Sequence, residues 1–159
     1  MSGTIVCVVT NAYEGRAALQ LASELRDRLD ARLVLAHVAD GATAIDGAES
    51  VSARNGRLGA EKLLASMGSE FDVEASDRRW AVGDRARLTA QIAGEEAADM
   101  IVVDSRSRGL LRRGFLHAPL ARELRAETAI PVLVAPPASP VHVKATTQTL
   151  RPLGMNAPT

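Results

Sequence analysis

The sequence has 159 residues, a length that suits one domain of ordinary size. Lys plus Arg and Asp plus Glu number 19 each, so the formal charge is zero, which argues against a nucleic-acid-binding protein. A hydrophobic content of 47% excludes a disordered chain, and the single cysteine excludes a disulfide framework. No basic region precedes the first apolar run, and no apolar stretch reaches the roughly 18 residues that a membrane span needs. We therefore expect a cytoplasmic globular protein with no membrane partner.

Short apolar runs alternate with segments of helical period along the first half of the chain. Residues 4–9 are continuously apolar after Thr4, and residues 33–38 are apolar apart from His37, as strands buried on both faces are. Apolar residues recur every three or four positions from Gly15 to Leu29, which predicts an amphipathic helix, and a second helix is expected from Val51 to Met67. The segment from Phe71 to Val82 carries several charges, which favours an edge strand.

The second half repeats this alternation. Asp84 is a plausible N-cap for a helix from Arg85 to Ala97. Met100–Val103 is a central strand in character, Leu116, Leu120 and Leu124 mark a fourth helix, and Pro131–Ala135 is the fifth strand. From Pro136 onward the composition favours a loose tail.

Such alternation predicts a parallel sheet with helices on both faces, because strand–helix–strand crossovers are right-handed. Ligands of these sheets bind at the carboxyl ends of the strands, near the point where the order of the strands in the sheet reverses. The candidate ligand-binding segments are therefore residues 10–14, 39–47, 83–84 and 104–113.

Two known motifs, one for phosphate binding and one for a catalytic nucleophile, are matched only in part. Gly109 and Gly114 have the spacing of a P-loop, but Phe115 and Leu116 stand where that loop needs Lys and then Ser or Thr. Ser107 lies in a context close to a nucleophile elbow, although Ser105 replaces the first glycine. The three histidines are too scattered for a metal site, and we expect no metal and no catalytic residue.

An arginine-rich segment follows the fourth strand. Arg106, Arg108, Arg112 and Arg113 form either a solvated surface or an anion site, since guanidinium groups match phosphate oxygens. The sequence leaves both interpretations open.

Taken together, the pattern resembles the universal stress protein family over roughly residues 3 to 136. The resemblance rests on the order of elements, on Val82-Gly83-Asp84, and on the closing stretch MIVVDSRSRGLLRRGFLHAPLARELRAETAIPVLVAPP. It implies an α/β fold of the Rossmann-like, adenine nucleotide alpha hydrolase-like type, with an open parallel five-stranded sheet in the order 3-2-1-4-5. The expected division is a universal-stress-protein-like domain over residues 1–136 and a flexible or extended tail over residues 137–159.

The resemblance also implies where a nucleotide would bind, and several of these positions have changed. In ATP-binding members the fourth strand leads into G-x2-G-x9-G-[S/T]; here Asp104, Ser107 and His117 hold the glycine positions and Ala118 the hydroxyl position. Thr10 stands where such members carry an Asp after the first strand. Val38 closes the second strand, where the resemblance places the lining of the adenine pocket, and this position is unchanged. The pocket positions expected from the resemblance are Thr10, Val38, Asp104, Ser105, Arg106, Ser107, His117 and Ala118.

These changes favour a non-catalytic stress-response or regulatory protein that lacks the usual ATP binding and has no cofactor. The alternative is an adenine-nucleotide-binding member that holds the phosphates of ATP or AMP, with Mg, on the arginine-rich segment and hydrolyses ATP slowly. We also expect an unidentified protein partner.

The fifth strand predicts a homodimer. It is short, apolar and at the sheet edge, and an unprotected apolar edge is a template for association. The family resemblance points to the same strand, and the expected interface residues are Ile130, Val132, Leu133 and Val134.

Overall fold

Buried strands and amphipathic helices alternate along the computed structural model, which describes residues 3–39, 51–105 and 120–136. Each element begins where the sequence changes its hydrophobic period. The strands are β1 (Thr4–Val8), β2 (Arg32–Ala39), β3 (Arg78–Val82), β4 (Met100–Val103) and β5 (Val132–Val134), and the helices are α1 (Ala12–Leu29), α2 (Val51–Glu70), α3 (Arg85–Glu95) and α4 (Leu120–Glu127). Within these ranges, no helix is both long and apolar enough to cross a membrane.

The five strands form one parallel sheet in the order β3-β2-β1-β4-β5, which confirms the expected architecture. β1 lies at the centre, where Ile5 is paired with Leu33 of β2 on one side and with Met100 of β4 on the other. β3 and β5 are the two edges, so each has one strand neighbour within the described chain.

Alternate residues of the strands divide the core between the two faces of the sheet, because side chains in a strand point to opposite sides. Cys7 of β1 and Val9, directly after the strand, pack with α1 and α2 on one face, whereas Val6 and Val8 pack with α3 and α4 on the other. Helices therefore cover both faces, as the apolar strand sequences require.

The segment from Phe71 to Val82 differs from its predicted structure. α2 continues to Glu70, a turn and a short 3-10 helix at Ala75–Asp77 follow, and only Arg78–Val82 joins the sheet. The intervening backbone is occupied elsewhere: the Val73 N–H donates to Gly68 O, and Arg78 donates to Val73 O at 2.7 and 3.0 Å. α1 also begins earlier than its apolar period, at Ala12, because Asn11 caps it.

A cluster of ion pairs lies at the amino-terminal edge of the sheet. Glu96 accepts from Arg32 at 2.8 Å and from Arg79 at 2.6 Å, and Arg32 also contacts Asp77 at 2.6 Å. The Glu96 side chain is only 12% exposed. These ion pairs connect the start of β2 and β3 to the end of α3.

Candidate functional site

The carboxyl ends of β1 and β4 lie next to each other, and the chain leaves them toward opposite faces of the sheet. α1 follows β1 and packs on the face that contains Cys7, whereas α4 follows β4 and packs on the other face. Such a divergence of neighbouring strands opens a crevice in which α/β proteins bind ligands. We call this place the switch point and take it as the candidate site.

Thr10 and Asp104 meet at the switch point. The Thr10 backbone N–H donates to Asp104 Oδ2 at 2.8 Å, and the Thr10 hydroxyl donates to the same oxygen at 2.5 Å. Asp104 is 6% exposed. A carboxylate buried this far from water is held by charge-assisted hydrogen bonds of this kind.

The first turn of α1 begins directly after Thr10. The Asn11 side chain accepts from the Glu14 N–H at 2.9 Å, which is an ordinary helix N-cap. Glu14 Oε2 is buried and accepts no hydrogen bond from a described residue, and the neighbouring Tyr13 is 55% exposed. Neither Glu14 nor Tyr13 was among the expected pocket positions; the spacing Asn11-x-x-Glu14, typical of helix starts, was the available signal.

Cys7 lies on β1 below the switch point. Burial raises the pKa of its thiol well above the ordinary range, and the negative charge of Asp104 raises it further. Nucleophilic and metal-binding cysteines need the thiolate. Cys7 therefore acts as a small apolar side chain in the core.

The end of β2 contributes apolar packing and one oriented histidine. Val38 is buried in the core beneath α3, and its carbonyl accepts from Arg85 Nε at 3.2 Å. His37 Nδ1 lies 2.7 Å from Val9 O, so this nitrogen carries the proton and donates to the carbonyl. His37 is therefore a buried histidine with a hydrogen-bond partner.

The expected pocket positions thus divide into two groups. Thr10 and Asp104 are in contact, Ser105 follows Asp104 at the same edge, and Val38 lies two strands from Asp104 at the end of β2. The other four, Arg106, Ser107, His117 and Ala118, lie outside the described residues. Among the residues that are described, no three His, Cys, Asp or Glu side chains come together as metal ligands.

The comparisons with known proteins agree on one family. The profile of the universal stress protein family matches residues 1–136. No curated protein sequence matches the chain.

Solved structures with the same fold cover 85–86% of this chain. The universal stress protein UspA from Lactobacillus plantarum aligns with a TM-score of 0.66 and 15% identity, over 86% of this chain and 99% of that one. A universal stress protein family member from Burkholderia pseudomallei gives 0.57 and 25% identity, over 85% and 96%. The Archaeoglobus fulgidus universal stress protein in complex with dAMP gives 0.59 and 15% identity, over 86% and 98%.

Proposed function

The chain belongs to the universal stress protein family, and we propose that it is a non-catalytic, regulatory member that does not bind ATP in the usual way. The observation that carries this proposal is the buried Asp104 carboxylate at the switch point, bonded to Thr10. The resemblance implies a glycine after β4 in ATP-binding members, where backbone approaches the ribose and phosphates. Here a negative charge takes that place.

The negative charge of Asp104 has a large effect on the binding of a phosphate group. Two unit charges about 4 Å apart repel each other by about 4 kcal/mol at the effective dielectric constant of a protein surface. A repulsion of this size weakens binding of a phosphate group about a thousandfold. A bridging cation would reduce the repulsion, which is why the test includes magnesium.

Isothermal titration of the purified protein with ATP and magnesium tests the proposal. We expect no binding in the micromolar range and no phosphate release above the buffer control. A dissociation constant in the low micromolar range, worth roughly 8 kcal/mol, contradicts it.

A nucleotide-binding role is the second candidate, because a fold neighbour was solved in complex with dAMP. In that case the arginine-rich segment supplies the contacts that the lost glycines do not. The double variant Arg106→Ala, Arg108→Ala distinguishes the two candidates: binding of AMP that falls tenfold or more in this variant supports the nucleotide-binding role.

A homodimer through β5 is the second part of the proposal. β5 is an edge strand, and Leu133 and Val134 are 38% and 43% exposed. Val132 is half-buried on the core, and Ile130 precedes the strand, where its N–H donates to Thr128 Oγ1 at 3.1 Å. Exposed apolar residues on an unpaired edge favour association with a second copy.

The opposite edge of the sheet offers a matched control for the dimer. Val82 on β3 is 36% exposed, similar to the exposure of Val134 on β5. We expect Val134→Lys to convert the dimer to a monomer in light scattering after size exclusion, and Val82→Lys to leave it unchanged. A wild-type mass of one chain at micromolar concentration, or a dimer that survives Val134→Lys, contradicts an interface at β5. A cytoplasmic location and an unidentified protein partner complete the proposal.

A further inference from the structure

We infer that Asp104 is a built-in anion: its carboxylate occupies the anion-binding groups of the switch point and thereby restricts ligands to uncharged or cationic ones. The inference deepens the proposed function and rests on it. It assigns to one residue the choice of ligand class at this site.

The donors that hold Asp104 are the kind that hold ligand anions in other α/β proteins. A backbone N–H and a hydroxyl at the start of a helix bind phosphate or carboxylate equally well. Thr10 provides both, and both go to the same oxygen of Asp104, at 2.8 and 2.5 Å. A ligand anion in this place would compete with a carboxylate that is covalently attached and already 94% buried, since its exposure is 6%.

The field of the first helix favours the same arrangement. α1 begins two residues after Thr10, so the positive end of its dipole lies within one turn of the carboxylate. Glu14, in that first turn, adds a buried Oε2 without a hydrogen bond from any described residue. Both carboxylates belong to segments that meet at the switch point, so a bound anion would add a further negative charge there.

The second oxygen of the Asp104 carboxylate, Oδ1, indicates which ligands the site can bind. Both bonds from Thr10 end on Oδ2, and within the described chain no group donates to Oδ1. A carboxylate oxygen in this state accepts from hydroxyl or ammonium groups. The ligand class that fits is a small molecule that presents such donors and no phosphate.

The same two strands supply an internal control at their other end. Asp99 Oδ2 accepts the Thr4 N–H at 2.8 Å, which repeats the carboxylate–amide contact between the β1 and β4 segments. Asp99 is exposed, and no helix begins at Thr4. Removal of Asp99 therefore vacates an amide without creating an anion site.

Inorganic phosphate is the probe, and the measurement is the melting temperature over a phosphate titration at constant ionic strength. Asp104→Ala vacates the carboxylate, so we expect its melting temperature to rise by several degrees with phosphate, relative to wild type. Asp104→Asn removes the charge but still fills the space and occupies the Thr10 donors, so its rise with phosphate should be smaller than that of Asp104→Ala. Asp99→Ala vacates only the control position and should respond like wild type. The arginine-rich segment is present in every variant, so its contribution cancels in these differences.

The outcomes separate this inference from the proposed function. A phosphate response in Asp104→Ala no larger than in wild type, or an equal response in Asp99→Ala, overturns the inference even if wild type fails to bind ATP. Tight ATP binding by wild type overturns the proposed function itself. If Asp104→Ala does not fold, Asp104→Ser, whose shorter side chain also vacates the place of the carboxylate, is titrated in its place and is judged by the same criterion.

Discussion

Gly15 lets α1 approach the end of β1, and its replacement by alanine tests how tightly this part of the site is packed. A Cβ at Gly15 would lie 2.8 Å from Val9 Cβ, 2.9 Å from Val9 Cγ1 and 3.2 Å from Met67 Cε. Val9 is fully buried and Met67 nearly so, which leaves no solvent space into which they could move. Gly59, in the middle of α2, has nothing within 4 Å of the same added atom and is the matched control.

The two substitutions have opposite expected signs. Alanine in place of a helical glycine stabilises by about 0.5–1 kcal/mol, and Gly59→Ala should show this gain undiminished. An extra methyl group in a filled core costs about 1–3 kcal/mol, so Gly15→Ala should lose about 1 kcal/mol net. The variants should therefore differ by about 2 kcal/mol, or about 4–8 °C in melting temperature for a chain of this length.

Urea denaturation followed by circular dichroism measures both free energies of unfolding. A Gly15→Ala variant as stable as Gly59→Ala would refute the reasoning, because the contacts at Val9 would then impose no cost. A loss in Gly59→Ala would show that helix propensity is not the dominant effect at an open position.

Two further predictions concern the ion pairs and the buried thiol. Glu96→Gln removes the carboxylate that Arg32 and Arg79 share, so it should destabilise the protein by about 1–3 kcal/mol in the same urea assay. Glu95→Gln, on the exposed surface, is the control and should stay within about 0.5 kcal/mol of wild type. Equal losses in the two variants would contradict a role for the shared carboxylate. The raised pKa of Cys7 means that the thiol stays protonated in the folded state after it ionises in the unfolded one. Its stabilising effect is therefore complete below the unfolded pKa of about 8.5 and declines above it, by about 1 kcal/mol per pH unit. Cys7→Ala should lack this decline between pH 8 and 10, and parallel slopes for the two proteins would refute the prediction.

Much of the fold follows from local patterns in the sequence. Apolar runs such as Ile5–Val9 and Leu33–Ala36 can bury both of their faces only inside a sheet, and the helical periods between the strands require crossovers. Asp84 was predicted as an N-cap from its position alone, and its side chain accepts the Arg87 N–H at 2.9 Å. These features involve neighbours within a few residues, so the sequence is sufficient.

The boundaries of weaker elements depend on the rest of the molecule. Phe71–Asp77 has no strong period, and its structure follows from what α1, α2 and β3 offer it. Arg26 of α1 donates to Phe71 O at 3.2 Å, and the Phe71 N–H donates to Met67 O, which closes the end of α2. Nothing in the local sequence specifies these partners, so a strand prediction there was wrong.

The candidate site shows the same division. Thr10 and Asp104 were each expected at the pocket from the family resemblance, and each lies in a segment that follows a buried strand. Their contact depends on the sheet order, which brings together residues 94 positions apart and buries the carboxylate between β1 and β4. The sequence by itself determined which groups reach this edge, since strand ends follow from hydrophobic patterning. Only the tertiary structure decided that the carboxylate is bonded inside the protein, because the pairing of β1 with β4 makes the Thr10 amide and hydroxyl its nearest donors.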